Sequence, residues 1–403
     1  MWGLGASFYC YAFFQRVAPA VMVGEMMREF AVGAAIAGML SGLYFYSYAA
    51  MQIPIGLLLD RFGPRRMLAG FAVLSAVGSA LFAMAPGLGP AYAGRALVGL
   101  GAAVTWVGTL KLASLWFPPR HFALVTGLTL AMGMAGAVGG QAPLAAAVTA
   151  YGWRGTMWGA AVVAAAMAVV LWLFVRDGVP SERQEDSRGS FGAGLILALR
   201  TPQIIILALY SFTMAGPMLS VAGLWGVPYL MQVHGLDRTD AAFTTSAMLV
   251  AWGISSPLTG WFSDRMGRRP ALVVAAIGGL VFGWAAFYLP GVPLPVRQVL
   301  LCCMGAMGGA FVLSFATARE HAPIAAGGAV LGVVNTFCMA SGAIFQPLIG
   351  WLLDLNWEGG MVDGGRVYSA AAYGTAFTAL LACQGSALLL ALASRETFCR
   401  RHE

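Results

Sequence analysis

Charge is what this sequence has least of: only 10% of its 403 residues are Asp, Glu, Lys or Arg, against about a quarter in an ordinary soluble protein. With 60% hydrophobic residues, that scarcity excludes a water-soluble globular chain and leaves an integral membrane protein. There is one lysine, Lys111, and four histidines, His121, His234, His321 and His402. The six cysteines, Cys10, Cys302, Cys303, Cys338, Cys383 and Cys399, show neither metal-ligand spacing nor a disulfide framework. No metal, cofactor or catalytic group follows. The net charge of +7 sits in short clusters between apolar segments, which reports membrane topology and not a nucleic-acid surface. The first apolar stretch begins almost at Met1 without a basic leader, so it reads as a retained helix and not a signal peptide.

A crossing helix needs about 20 apolar residues. Runs bounded by Gly, Pro or charge fall at 3–24, 34–58, 67–86, 91–117, 122–148, 153–175, 202–231, 241–262, 270–289, 297–317, 326–352 and 368–393. The spacing predicts twelve helices. The polar stretch at 178–200 divides a six-helix unit, 1–177, from a second, 201–403, and reads as a cytoplasmic linker with little structure. With both termini cytoplasmic, fifteen basic residues lie inside and six outside, the bias expected of an inner or plasma membrane protein. The two left over, Arg16 and Lys111, lie within apolar segments.

The halves repeat. GLLLDRFGPRR at 56–66 recurs as GWFSDRMGRR at 260–269, an offset of 204, and Gln141 with Pro143 recurs as Gln346 with Pro347. Two related halves around a central cavity are the architecture of secondary transporters.

Arg16 stands about eight residues, or roughly 12 Å, from the outer end of its helix. A guanidinium near the midplane costs several kcal/mol unless it faces water or a partner, and it stays charged, offering a bidentate fork. A carboxylate or phosphate is its natural ligand; pairing with backbone carbonyls is the alternative. Lys111 either joins that ligand or snorkels to the interface. Tyr44, Tyr48 and Gln52 recur every four residues on one face of the second helix, a polar aromatic stripe that lipid would not favour. All sixteen acids map to loops or helix ends, so no midplane carboxylate is available to carry a proton. The excess of buried positive charge points to a small organic anion moved by facilitated diffusion or exchange against a counter-anion, with Glu25 the alternative site for proton coupling.

The duplicated loop resembles the signature G-x-x-x-D-R-x-G-x-R-R of the major facilitator superfamily. Gly56, Asp60, Arg61, Gly63, Arg65 and Arg66 occupy its places, and Gly260, Asp264, Arg265, Gly267, Arg268 and Arg269 form the second copy. Arg95, Gly99 and Gly101 are similar to its fourth-helix R-x-x-x-G-x-G pattern. The resemblance covers the whole chain and implies an all-α fold of twelve transmembrane helices in two pseudo-symmetric bundles. It implies alternating access, a small-molecule substrate, and the two loops acting as breakable latches, with close helix approach at the glycine before each aspartate. The first helix, with Arg16 and Pro19, is similar to organic-anion members of the family, although Gln15 stands where their acid would be. The fifth helix keeps Gly139 and Gly140 but lacks the Gly-Pro pair of the drug antiporters. By family geometry Gln141, Trp225, Tyr229, Trp252, Asn335 and Gln346 join the substrate-facing candidates, Arg95 is a structural or coupling residue, and Gly216-Pro217 marks a point where helix 7 can bend. A proton-driven exporter of drugs or siderophore-like compounds is the rival reading. A monomer in the lipid bilayer, without nucleic-acid partners, is expected.

Overall fold

The computed structural model describes residues 1–118, 121–177, 188–323, 326–362 and 364–398, excepting the side chains at 53, 57, 60, 123 and 188–191. The latch carboxylate of Asp60 therefore lies outside the described residues, as do Arg120, Arg183, Arg400, Arg401, Glu182, Glu185, Asp186, Asp363, Glu403, Cys399 and His402, and the side chain of Arg188.

Long apolar stretches with few internal polar groups satisfy their backbone only as helix in a membrane, and helix dominates. The first crossing is α1 (Trp2–Val17) and α2 (Pro19–Glu29). Pro19 has no N–H to continue the ladder, which interrupts the helix at Ala18, yet Ala18 keeps helical angles of φ −49° and ψ −39°. Helix α3 (Ala34–Met84) holds the second and third crossings, reversing at Gly63. The fourth is α4 (Leu88–Ala102) with α5 (Val104–Trp116). The fifth and sixth are α6 (Phe122–Gly139) and α7 (Ala142–Phe174), which turns at Gly152 with φ 70°.

The second half repeats this order. Helix α9 (Pro202–Ser220), a five-residue π-turn at Val221–Trp225 and α10 (Gly226–His234) form the seventh crossing. Next come α11 (Arg238–Met266), α12 (Arg268–Tyr288), α13 (Leu294–Gly308) with α14 (Phe311–Glu320), and α15 (Gly327–Leu355). A short antiparallel ribbon of β1 (Met361–Val362) and β2 (Gly365–Arg366) leads to α16 (Ala370–Ala393). Among the described residues, eight helical stretches are long and apolar enough to cross a membrane by length and composition, and the stretch Leu124–Phe174 contains two crossings.

Residues 188–200 correct the expectation of a linker with little structure: they form helix α8 (Arg188–Arg200). Ala198 is fully buried among Ile204, Val330 and Val334, so α8 rests on the second half. Elsewhere large apolar side chains such as Val162, Leu173, Ile254 and Leu389 are exposed, the pattern of a lipid-facing surface and the reverse of a water-soluble one.

The face holding both termini and the two duplicated loops is called here the terminal face, and the other the opposite face. Between the halves the most extensive packing joins α3 to α15, and α11 also meets α6 and α7. At Gly38 on α3 an added Cβ would strike the backbone of Gln346 and Pro347 on α15, so the halves touch backbone to backbone near the opposite face.

Candidate functional site

Arg16 is 4% exposed. Its guanidinium carbon lies 4.0 Å from the Phe13 ring centre, 5.6 Å from Tyr48 and 5.9 Å from Tyr44, within the range of cation–π attraction. Its Nε is buried with no hydrogen-bond partner, and among the described residues no carboxylate pairs with it. Tyr44 and Tyr48 stack with centroids 6.1 Å apart and planes 17° from parallel, and the Tyr44 hydroxyl donates to the Ala12 carbonyl at 3.0 Å. The second half completes this wall: Cys338 and Met339 pack in one cluster with Ala12, Tyr44 and Tyr48. Beside them the Asn335 amide donates to Gln52 Oε1 at 2.9 Å, while Gln52 Nε2 is buried and unpartnered.

A second buried cation adjoins the first. Arg95 is 1% exposed and faces Tyr44 at 5.6 Å and Phe82 at 5.8 Å. Its Nη1 donates to the Gln15 carbonyl at 3.2 Å, whereas Nε and Nη2 lack partners. Gln15, in the place of the family's acid, donates to Tyr11 at 2.6 Å and Ser79 at 2.9 Å. Two cations thus flank Tyr44, and the polar groups named around them are amides, phenols and the Ser79 hydroxyl.

Tyr9 was not among the residues singled out in the sequence. Its ring lies 4.7 Å from Phe13 and 5.3 Å from Trp106, and positions 9, 13 and 16 share one helix face, so the i, i+4, i+7 spacing was a usable signal. Trp252 packs 5.0 Å from Phe311 with the rings tilted by 33° and its indole N–H buried and unpartnered. Lys111 is half-buried on α5 and engaged, not free.

Three other candidates lie near the contact between halves: Gln141 bonds across it, while Gln346 and Trp225 bond within the second half. The π-turn interrupts the regular ladder of helix 7, and the two repeat-related glutamines bond carbonyls there: Gln141 Nε2 to Ala222 at 2.6 Å and Gln346 Nε2 to Leu219 at 2.8 Å. Thr245 donates to Gln141 Oε1 at 3.0 Å, and the Trp225 indole donates to the Gln346 carbonyl at 2.9 Å. The bend expected at Gly216-Pro217 is displaced: α9 continues through Pro217, and the irregularity falls at Val221–Trp225.

The opposite face is closed by charge. Asp354, at the end of α15, accepts from the N–H groups of Ala34 at 3.1 Å and Ala35 at 2.9 Å, from the Tyr368 hydroxyl at 2.6 Å and from Arg366 at 3.1 Å. A carboxylate on the first turn of α3 also complements its dipole. Glu25 meets Arg238 across the halves at 2.8 Å. From this face inward the bonds between halves run as far as Asn335–Gln52.

At the terminal face the duplicated loops are braced within their own halves. Gly63 (φ 78°, ψ 158°) and Gly267 (φ 96°, ψ 162°) lie where a side chain is strongly disfavoured, which explains the glycine in each copy. Asp177 caps the helix after Gly63 through Arg65 N–H at 2.9 Å. Glu396 caps α12 through Arg268 N–H at 2.8 Å and Arg269 N–H at 2.7 Å. Arg268 also binds Glu320 and Asp264, each at 2.8 Å. Arg65 bonds the Trp172 carbonyl, Arg265 lies 3.8 Å over Trp261, and Arg61 faces Phe62 at 5.3 Å; Arg66 and Arg269 are exposed. Among the described residues a Cβ at Gly56 or Gly260 would meet nothing within 4 Å, so none of them makes the close approach expected at those glycines in this conformation.

Gly267→Ala is expected to lower thermal stability by about 1–3 kcal/mol through its backbone angle, with Arg61 and Arg265 chemistry untouched; an unchanged melting temperature would contradict the assignment. Burial raises the Glu396 pKa, but hydrogen bonds from the N–H groups of Phe398, Arg268, Arg269 and Thr397 outweigh it and hold the carboxylate below its ordinary value of 4.5. A depressed folded pKa contributes stability above the unfolded value and loses it as pH falls through the folded one. Melting curves of the wild type and Glu396→Gln should therefore differ near neutral pH, and the gap should shrink as the pH falls below the ordinary carboxylate value of 4.5; a constant gap would show that the charge is not what caps α12.

The family model described as Major Facilitator Superfamily matches residues 4–347. The chain belongs to that superfamily. It is a multi-pass membrane transporter, not an enzyme, with twelve helices in two bundles. Among curated proteins it is similar to a "Putative tartrate transporter" of Agrobacterium vitis, 26% identical over 90% of this chain and 84% of that one. It is also similar to a "Quinolone resistance transporter" of Acinetobacter baumannii, 24% identical over 75% and 82%. A crystal structure of a bacterial homologue of the human lysosomal transporter Spinster, inward-facing and unoccupied, superposes with a TM-score of 0.81 at 16% identity, covering 99% of this chain and 95% of that one.

Proposed function

We propose that this transporter moves a small organic anion, a carboxylate or phosphorylated metabolite, by alternating access. The observation that carries the reading is Arg16: a buried, permanently charged fork, walled by Phe13, Tyr44 and Tyr48, with no carboxylate paired to it among the described residues. A buried cation without a counter-ion is costly, and an anionic substrate supplies what the protein lacks. Tyr48, Gln52 and Asn335 contribute polar contacts from both halves, Lys111 and Trp252 stand as further ligands, and Arg95 couples occupancy to the helix 1–helix 2 contact through Tyr44 and Gln15. The relatives named for tartrate are consistent with this chemistry.

In this reading 1–177 and 201–403 rock against each other, joined by 178–200, with both termini cytoplasmic in an inner or plasma membrane. The structure then represents the state open toward the cytoplasm. Asp354, the Glu25–Arg238 pair, Gln141, Trp225 and Gln346 seal the outer face, and Gly56, Asp60, Gly260 and Asp264 with their arginines latch the inner face in the alternate state. Binding of small carboxylates, measured calorimetrically on the purified protein, tests the proposal: loss of the signal in Arg16→Gln is expected, and an unchanged affinity would refute it.

A further inference from the structure

A second cation is buried well away from Arg16, inside the second half alone. A cavity of about 190 Å³ opens where the ends of α10 and α12 meet the starts of α13 and α16. Arg297 lines it, 8% exposed, with its Nε buried and without a hydrogen-bond partner. Its Nη1 donates to the Ala286 carbonyl and, at 3.4 Å, to the Tyr229 hydroxyl. The same hydroxyl lies 3.1 Å from His234 Nε2. Aromatic rings form the remaining walls: Phe287 and Phe377 stand 5.6 and 5.3 Å from the Tyr229 ring. Among the described residues no carboxylate lines it.

From this geometry we infer that the cavity is a second anion site, distinct from the path between the halves, which takes a compact carboxylate with a flat apolar body. The guanidinium brings to the cavity a charge that no lining carboxylate meets, and its unpartnered Nε shows that the fold leaves it short of acceptors. The aromatic walls fit a planar hydrocarbon by edge and face contact, and a volume of about 190 Å³ suits a compact ligand. All lining residues come from one half, so the occupant does not need to cross with the substrate. It would brace the ends of four helices at the opposite face.

The site can be blocked without disturbing its charge. Gly374 lines the cavity, and a Cβ built there meets nothing within 4 Å, so Gly374→Leu fills the space and leaves Arg297 bonded to Ala286. The probe is 4-fluorobenzoate, followed by fluorine NMR on detergent-purified protein carrying Arg16→Gln, which removes the substrate site from the measurement. Binding should persist in that background, fall at least tenfold with added Gly374→Leu or Arg297→Gln, and be at least tenfold weaker for neutral 4-fluorobenzamide. Absence of binding in the Arg16→Gln protein, or equal binding after Gly374→Leu, would overturn the assignment whatever the fate of the Arg16 site.

Discussion

Arg16→Gln should weaken binding of the transported anion about a hundredfold, because a bidentate charge-assisted contact contributes about 3 kcal/mol and each 1.4 kcal/mol is a factor of ten. The substitution keeps a polar side chain, shortens it, and removes the charge and the fork. Arg16→Lys restores the charge as a point donor but cannot grip two oxygens in one plane, so an intermediate loss of about tenfold is expected. The order wild type, lysine, glutamine separates a ligand from a packing residue. If Arg16 merely fills space among Phe13, Tyr44 and Tyr48, glutamine and lysine would change stability and leave affinity alone. Calorimetric titration with one carboxylate across the three proteins reads the difference.

The second large effect concerns the opposite face. Asp354 gathers four hydrogen bonds, two of them from the backbone of α3 in the other half. Asp354→Ala removes the acceptor for all of them, and a net loss of about 3 kcal/mol would change the ratio of closed to open states roughly a hundredfold. Tyr151 and Met361 are exposed at 77% and 54% and lie on opposite halves of this face. Spin labels placed there, in a protein otherwise free of cysteine, should show one short distance in the parent and a second, longer population in Asp354→Ala. A single unchanged distance would mean that apolar packing, such as that at Gly38, holds the face shut without the carboxylate.

Much of this was legible along the chain. The duplicated loop located both reversals, Gly63 and Gly267, because its glycines mark backbone angles that only glycine adopts cheaply. Scarcity of charge made Arg16 conspicuous, and the Tyr44–Tyr48 stripe followed from a four-residue period. What escaped was non-local. Asp177 and Glu396 cap helices that begin 112 and 128 residues earlier, a pairing no local pattern encodes. Gln141 and Gln346 were visible as a repeated pair, yet their partners, the Ala222 carbonyl in the π-turn and the Leu219 carbonyl just before it, are set by the folded helix 7. Arg95 read as the outer end of a helix, and only folding brings it within 5.6 Å of the tyrosine that Arg16 also faces. The α8 sequence carries three glycines among its small residues, GSFGAGLILALR after Arg188, and packing of Ala198 against the second half overrides that weak propensity.

The most direct test of the central claim is thermal stabilisation of the purified protein across small carboxylates, phosphorylated metabolites, neutral solutes and lipophilic cations, since a ligand bound only to the folded state raises its stability by RT ln(1 + [L]/Kd). The account expects stabilisation by a carboxylate or phosphate, lost in Arg16→Gln. Stabilisation by lipophilic cations or neutral compounds alone, equal in both proteins, would contradict it and favour a drug exporter in which Arg16 is structural.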